Sequence, residues 1–252
     1  MIHFIFQNFF YIPLYNFMVA ILGAFPYFSI GFAIIVLTFI VRIILFPLSK
    51  KAVRTQIEMK IIEPEIEEIK NKYKDNKQEQ SMQIMKLYKE KGVNPFSSIF
   101  LILLQLPVLI ALYYVFLSGG LPKIDYSLLY PFVYPPVTIN MFFLGIDTMQ
   151  KSIVFAILAG VTQFWQIQVA TPMKSTVKKD PSAKRSMGDD LAKSMNFQMK
   201  FIMPIFMFFI AWSFPVVVSI YLITTNLFSV AQEFYMRGKM ASEKAGVQKV
   251  NN

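Results

Sequence analysis

Long uncharged runs alternate with short blocks of charge along this chain. Residues 1–41, 92–122, 152–173 and 201–232 contain no Asp, Glu, Lys or Arg. A helix needs about 20 apolar residues to cross about 30 Å of hydrocarbon. The pattern therefore predicts spans at about 28–48, 95–117, 152–172, 200–214 and 216–236. The last two come from a single run. Lys200 and Arg237 both sit in basic blocks, so an even number of crossings must separate them, and Pro215 can break the run into a tight hairpin.

Two apolar stretches fit this scheme less simply. Residues 1–25 are interrupted by Gln7, Asn8, Tyr11, Pro13, Tyr15 and Asn16. They are read as an amphipathic helix on the outer surface; a sixth span and a signal peptide are the alternatives, although no basic n-region or small-residue cleavage site is present. Residues 118–150 are read as an external loop resting on the membrane, because Pro131, Pro135 and Pro136 oppose a spanning helix.

Between the first two spans, Ile62, Ile66, Ile69 and Tyr73 recur at helical spacing. Met82, Met85 and Tyr88 or Lys89 continue a weaker stripe. With Lys74-Asp75-Asn76-Lys77 as a polar turn and Gly92 as a C-cap, residues 50–92 predict an antiparallel helical hairpin. A solvated linker with helical propensity is the plainer alternative.

Composition confirms the class. Of 252 residues, 55% are hydrophobic and 16% charged, against roughly 25% charged in a soluble domain. Zero Cys and a single His, His3, exclude disulfides, thiolate or multi-histidine metal sites and a Cys nucleophile. No nucleophile–base pair and no Gly-rich phosphate loop is visible, so no catalytic residues, cofactor or metal are expected. The net charge of +10 is unevenly spread. Of 25 basic residues, 22 fall in 49–94, 173–200 and 232–252; Arg42, Lys123 and Lys151 remain. The positive-inside rule places those blocks in the cytoplasm, with residues 118–150 and the N-terminus outside and the C-terminus inside.

Arg42 stands about eight residues inside Lys50, roughly 12 Å along a helix. A charge at that depth reads as functional, with snorkelling to the interface as the alternative. Polar company strengthens the functional reading. Thr38, Arg42 and Ser49 fall on one helix face, at i, i+4 and i+11. Tyr221, Thr225, Ser229 and Gln232 form a stripe in the last span, with Asn226 beside it; Thr162, Gln163 and Gln166 lie in the third, and Gln105 lies next to Pro107 in the second. These residues suggest a wet cavity between helices. Arg42 has no carboxylate within any span, and Glu233 is the nearest candidate partner by depth.

At these residues the chain resembles the YidC/Oxa/Alb family of membrane-protein insertases. The likeness runs through Thr38 to Arg42 and Pro47-Leu48, Glu63-Pro64-Glu65-Ile66, Met85 to Lys89, Asn94-Pro95, Leu104-Gln105-Leu106-Pro107, Phe143 to Asp147, Phe214-Pro215 and Tyr221 to Asn226. Ser97-Ser98 and Leu222 depart from the family pattern, where glycines and a second Tyr are usual. The resemblance implies an all-α polytopic protein of the bacterial inner membrane, with a five-helix transmembrane core (26–237), an N-terminal interfacial helix (1–25), a cytoplasmic loop at 173–199 and a short basic tail (238–252). It implies an insertase and not an enzyme. Hydrophobic segments would enter a hydrated groove and leave laterally into lipid. Arg42 would be the groove arginine, with Thr38, Gln105, Gln163, Gln166, Tyr221, Thr225 and Asn226 lining it. Nascent membrane proteins and the lipid bilayer are the implied partners, with the Sec translocon, the ribosome and the signal-recognition-particle receptor as further ones and no specific nucleic acid. A small-anion transporter or channel is the alternative, since an arginine in a wet cavity could bind phosphate or carboxylate.

Overall fold

The computed structural model of the chain describes residues 2–94, 97–117, 121–170 and 201–250. The expected loop 173–199 and the side chain of Gln105 lie outside the described residues. Nearly everything described is helical: α1 (Ile2–Phe6), a π-helical turn (Gln7–Tyr11), α2 (Ile12–Ala24), α3 (Ile30–Ile44), α4 (Phe46–Ile61), α5 (Glu63–Lys72), α6 (Lys77–Glu90), α7 (Ser97–Leu117), α8 (Ile153–Ala170), α9 (Met203–Ser213) and α10 (Val216–Val250). One small hairpin pairs β1 (Phe142–Phe143) with β2 (Ile146–Asp147). The chain divides into two compact units. One comprises Met1–Phe46, Ile102–Gln163 and Pro204–Phe228; the other comprises Pro47–Leu101, Phe164–Met203 and Ser229–Asn252.

In the first unit a continuous apolar core joins α2, α3, α7, α8, α9 and the first turns of α10. One end of this core is held by backbone groups that helices leave unpaired at their first turns. The Val216 and Val217 amides of α10 donate to the carbonyls of Gln150 and Thr148 at 2.9 and 3.1 Å, and the Ile30 amide of α3 donates to Asn140 at 2.9 Å. The loop 121–150 is therefore a folded cap. Its β-hairpin turns through Leu144 and Gly145, both at positive φ, the conformation a two-residue type I′ turn demands.

Residues 2–24 pack on α7 and on the loop that follows it. Tyr15 and Asn16, which interrupt the apolar run in sequence, are buried. The Tyr15 hydroxyl accepts from the Asp125 amide at 2.7 Å. Asn16 donates to the Leu128 carbonyl at 2.8 Å and accepts from the Tyr130 amide at 2.6 Å. Further along, Gly23 lies so close to the Tyr134 carbonyl that a Cβ would overlap it. At the other end, the rings of Phe6 and Tyr11 pack on Tyr114, near the end of α7. From Phe6 to Gly23 is about 25 Å of helix, yet these contacts all fall on residues 114–134.

The second unit contains the expected hairpin. Pro64 opens α5, where a missing amide costs nothing. Asn76 caps α6 by accepting from the Glu79 amide at 3.1 Å. Gly92, at φ +66°, ends α6; the Val93 amide reaches back to the Tyr88 carbonyl and the Gly92 amide to Lys89, a Schellman closure. Ile62, Ile66, Leu87 and Val93 form the hairpin core, with Ile69, Ile84 and Tyr88 against it. Of the stripe expected for the second helix, Tyr88 packs inward, but Met82 and Met85 are exposed and Ile84 and Leu87 take their place. Separately, Val53 and Ile57 of α4 pack on Met236 and Met240 of α10. Helix α10 continues to Val250, through most of the expected basic tail at 238–252.

Among the described residues, three helices are long and apolar enough to cross a membrane: His3–Ala24, Ile153–Ala170 and Val216–Met240. A fourth exists if α3 and α4 are taken as one broken span, and Leu106–Phe116 and Met203–Ser213 are shorter apolar helices. The expected continuous span 28–48 breaks at Leu45, two residues before Pro47. Ser49 consequently belongs to α4 and does not extend the helix face of Thr38 and Arg42. Its hydroxyl accepts from the Gln232 amide at 2.7 Å.

Candidate functional site

Arg42 lies in the last turn of α3. Its side chain is half-buried, and among the described residues it makes no hydrogen bond or ion pair. The expected depth partner, Glu233, is instead paired with Arg237 one turn on, Nε to Oε1 at 3.1 Å. Arg237 also donates to the carbonyl of Val169, near the end of α8.

Tyr221 of α10 is buried and stands close enough to Arg42 to interact electrostatically; its hydroxyl neighbours Thr225, one turn further on. The Tyr221 hydroxyl has no hydrogen-bond partner of standard geometry among the described residues. Thr38, one turn before Arg42, is buried, and its hydroxyl donates to the Ile34 carbonyl at 2.6 Å, leaving only acceptor capacity free. Asn226 is buried and donates to the Thr162 hydroxyl at 3.2 Å. Gln163 is half-buried in α8. Thr38, Arg42, Gln163, Tyr221, Thr225 and Asn226 thus belong to the first compact unit; Gln166 belongs to the second.

Tyr221 also lines a cavity of about 180 Å³ that the polar pattern did not disclose. Leu109, Leu112, Tyr113 and Phe116 of α7 form one wall, and Phe214, Val217 and Val218 another. The same residue therefore adjoins a cation on one hand and apolar space on the other. The missed half of the site consists of ordinary apolar residues, which in a membrane protein look alike whether they face core, cavity or lipid.

The fold defines a multi-pass α-helical membrane protein. Residues 21–244 match the family described as 60Kd inner membrane protein. A relative from Clostridium tetani, named membrane protein insertase YidC, is 35% identical over 209 residues, covering 82% of this chain and 81% of its own length. One of the same name from Fusobacterium nucleatum is 32% identical over 216 residues, covering 84% and 88%. A Campylobacter jejuni relative is 33% identical over 213 residues, but the match spans only 35% of that longer protein. The chain belongs to the 60Kd inner membrane protein family, whose members in the bacterial inner membrane are insertases and not enzymes.

Proposed function

We propose that this chain is a membrane protein insertase that receives hydrophobic segments beside Arg42 and releases them into lipid. The observation that carries this reading is the half-buried Arg42, without an ion pair among the described residues, next to a tyrosine that lines an apolar cavity. Moving a polar flank across hydrocarbon costs several kcal/mol per unsatisfied group. A hydrated recess around Arg42, open to the cytoplasm and to lipid, shortens the dry path, and the guanidinium attracts acidic or polar segments into it. Thr38, Gln105, Gln163, Tyr221, Thr225 and Asn226 are proposed to line the route. The apolar part of the client then leaves sideways, driven by burial at about 25 cal/mol per Å².

In this scheme the N-terminus is outside and the C-terminus cytoplasmic. Helix 2–24 lies across the outer end, a placement supported by the contacts of Phe6 through Gly23 with residues 114–134. Nascent membrane proteins are the clients. The α5–α6 hairpin meets them or their delivery machinery: the ribosome, the signal-recognition-particle receptor or the Sec translocon. The test is insertion of a short single-span protein into liposomes containing only this chain. Protease protection of the translocated tail is expected, without nucleotide. Failure to protect that tail, by protein that remains folded in the liposomes, overturns the proposal.

A further inference from the structure

A second cavity in the first unit, of about 260 Å³, lies on another face of α10. Ile35 and Phe39 of α3, Phe155 and Leu158 of α8, and Ile220 and Ile223 of α10 line it. Phe143 of the β-hairpin lines one end, where its ring meets those of Phe32 and Phe155. Toward the other end Phe39 packs edge-on against Phe228. Of the described lining residues only Thr224 has a polar side chain, and its hydroxyl donates to the Ile220 carbonyl at 2.8 Å. Apolar cavities of this kind stay dry. The mouth opens sideways between Phe39, Leu158 and Leu227, which are 45%, 44% and 41% exposed.

We propose that this crevice holds one acyl chain of a membrane phospholipid, retained there beyond the exchanging lipid that surrounds the protein. Continuity is the first argument. Helix α8 is long and apolar enough to span, and its exposed Ile157 and Val161 carry the lipid-facing surface to the mouth. Shape is the second. Close helix contacts in membranes use small residues, and α8 has one where a helix does dock: a Cβ on Gly160 would stand 3.2 Å from the Cβ of Phe208 in α9. The mouth of the crevice is rimmed by Phe39, Leu158 and Leu227, which hold a helix backbone off and admit a narrow chain. Charge is the third. The described lining residues carry none, so the chain is held whatever its headgroup. A recessed chain has dispersion contacts with three helices, where one on the open surface of α8 has them with one, so it leaves more slowly. Helix α10 thus has apolar space on two faces. Tyr221 adjoins the first cavity, and the acyl chain fills the second, backing the helix that carries Tyr221.

The test uses the full chain, loaded with phosphatidylcholine and washed in mild detergent until the surrounding lipid is stripped. Native mass spectrometry should show a single phospholipid still held per chain. Loading with phosphatidylglycerol should give the same occupancy. Ile223→Phe combined with Thr224→Leu fills the crevice and should lose the lipid, with helicity and thermal unfolding confirming the fold. Leu109→Phe, which fills the cavity beside Tyr221 instead, should keep it. Position is read independently in the unfilled chain. With Trp165 and Trp212 replaced by Phe, a tryptophan placed by Phe155→Trp should be quenched by chain-brominated phosphatidylcholine that survives washing. One placed by Val161→Trp, on the open face of α8, should be quenched in vesicles and recover after washing. If the filled variant does not fold, this comparison decides alone. Folded protein that retains no lipid overturns the proposal, as does retention by the filled variant, loss in Leu109→Phe, or dependence on the headgroup. So does quenching of Phe155→Trp that vanishes with the surrounding lipid. Lipid-free dimers that the filled variant disperses would mark a second copy as the occupant and overturn it too. None of these readouts depends on insertion activity.

Discussion

Asn226 of α10 donates to the hydroxyl of Thr162 in α8 at 3.2 Å. The Thr162 proton is already committed to its own helix, at 2.9 Å from the Leu158 carbonyl and 3.1 Å from Ala159. The threonine can therefore only accept, and the asparagine is the natural donor. Interhelical bonds in membranes are worth about 0.6 kcal/mol on average. Thr162→Val should cost more than Asn226→Leu, because it strands a buried amide, a penalty of about 1–3 kcal/mol. A double-mutant cycle followed by unfolding in detergent should show coupling of about 0.6 kcal/mol. Strict additivity would remove the bond as a tie between these helices.

At Gly31, α3 approaches the β-hairpin closely: a Cβ there would overlap the ring of Phe143. Phe143 is buried and also meets Phe32 and Phe155, so it has little room to yield. Gly31→Ala should lower stability by about 1–3 kcal/mol through overpacking, and Phe143→Leu in the same chain should restore part of it. Thermal unfolding of the two variants decides the matter. A neutral Gly31→Ala would mean that the cap shifts freely.

The hairpin should come apart without the membrane part noticing. Leu87 is buried in its small core, and Gly92 holds a positive φ that an L residue adopts at about 1–2 kcal/mol. Leu87→Ala and Gly92→Ala should speed protease cutting between Tyr73 and Asn76, while the spans stay protected in vesicles. Equal loss of protection in the spans would show that the hairpin is a structural support.

Some of this was plain in the sequence, and the reason is physical. Desolvating charge is costly at every position, so charge-free runs and basic blocks outline a membrane protein without knowledge of its contacts. Ile62, Ile66 and Ile69 were legible because three residues at helical spacing make a face. Met82 and Met85 misled because α6 carries apolar residues on two sides, and only packing selects Ile84 and Leu87. The break at Leu45 had a signal in Pro47, a residue that starts a helix as readily as it ends one. Arg42 stood out as a charge in an apolar run, whereas its meeting with Tyr221, 179 positions away, required the fold. The roles of Tyr15 and Asn16 were likewise invisible, because their partners are more than a hundred residues distant.

Topology can be read with added cysteines, since the chain has none. Ser81, Ser127 and Ser242 are all exposed. In intact cells or oriented vesicles, an impermeant thiol reagent applied outside should label Ser127→Cys and leave Ser81→Cys and Ser242→Cys untouched until the membrane is opened. External labelling at Ser81 would invert the proposed orientation.

Arg42 gives the most discriminating series. No buried carboxylate among the described residues would be left unpaired by its removal, so Arg42→Ala should fold normally; a broken buried ion pair would instead cost about 3–5 kcal/mol. If the guanidinium draws polar tails inward, Arg42→Ala should insert clients with short acidic external tails poorly and neutral-tailed clients better. Arg42→Lys should retain part of the activity, because it keeps the charge but loses the planar fork of donors. Arg42→Glu should be at least as defective as Ala, since it repels the same tails. A snorkelling arginine predicts another result: Ala neutral or mildly stabilising, with no dependence on client charge. The measurement is insertion yield in a strain depleted of its own insertase, for clients that differ only in tail charge. Full activity of Arg42→Ala on all of them would remove this residue from the insertion of those clients.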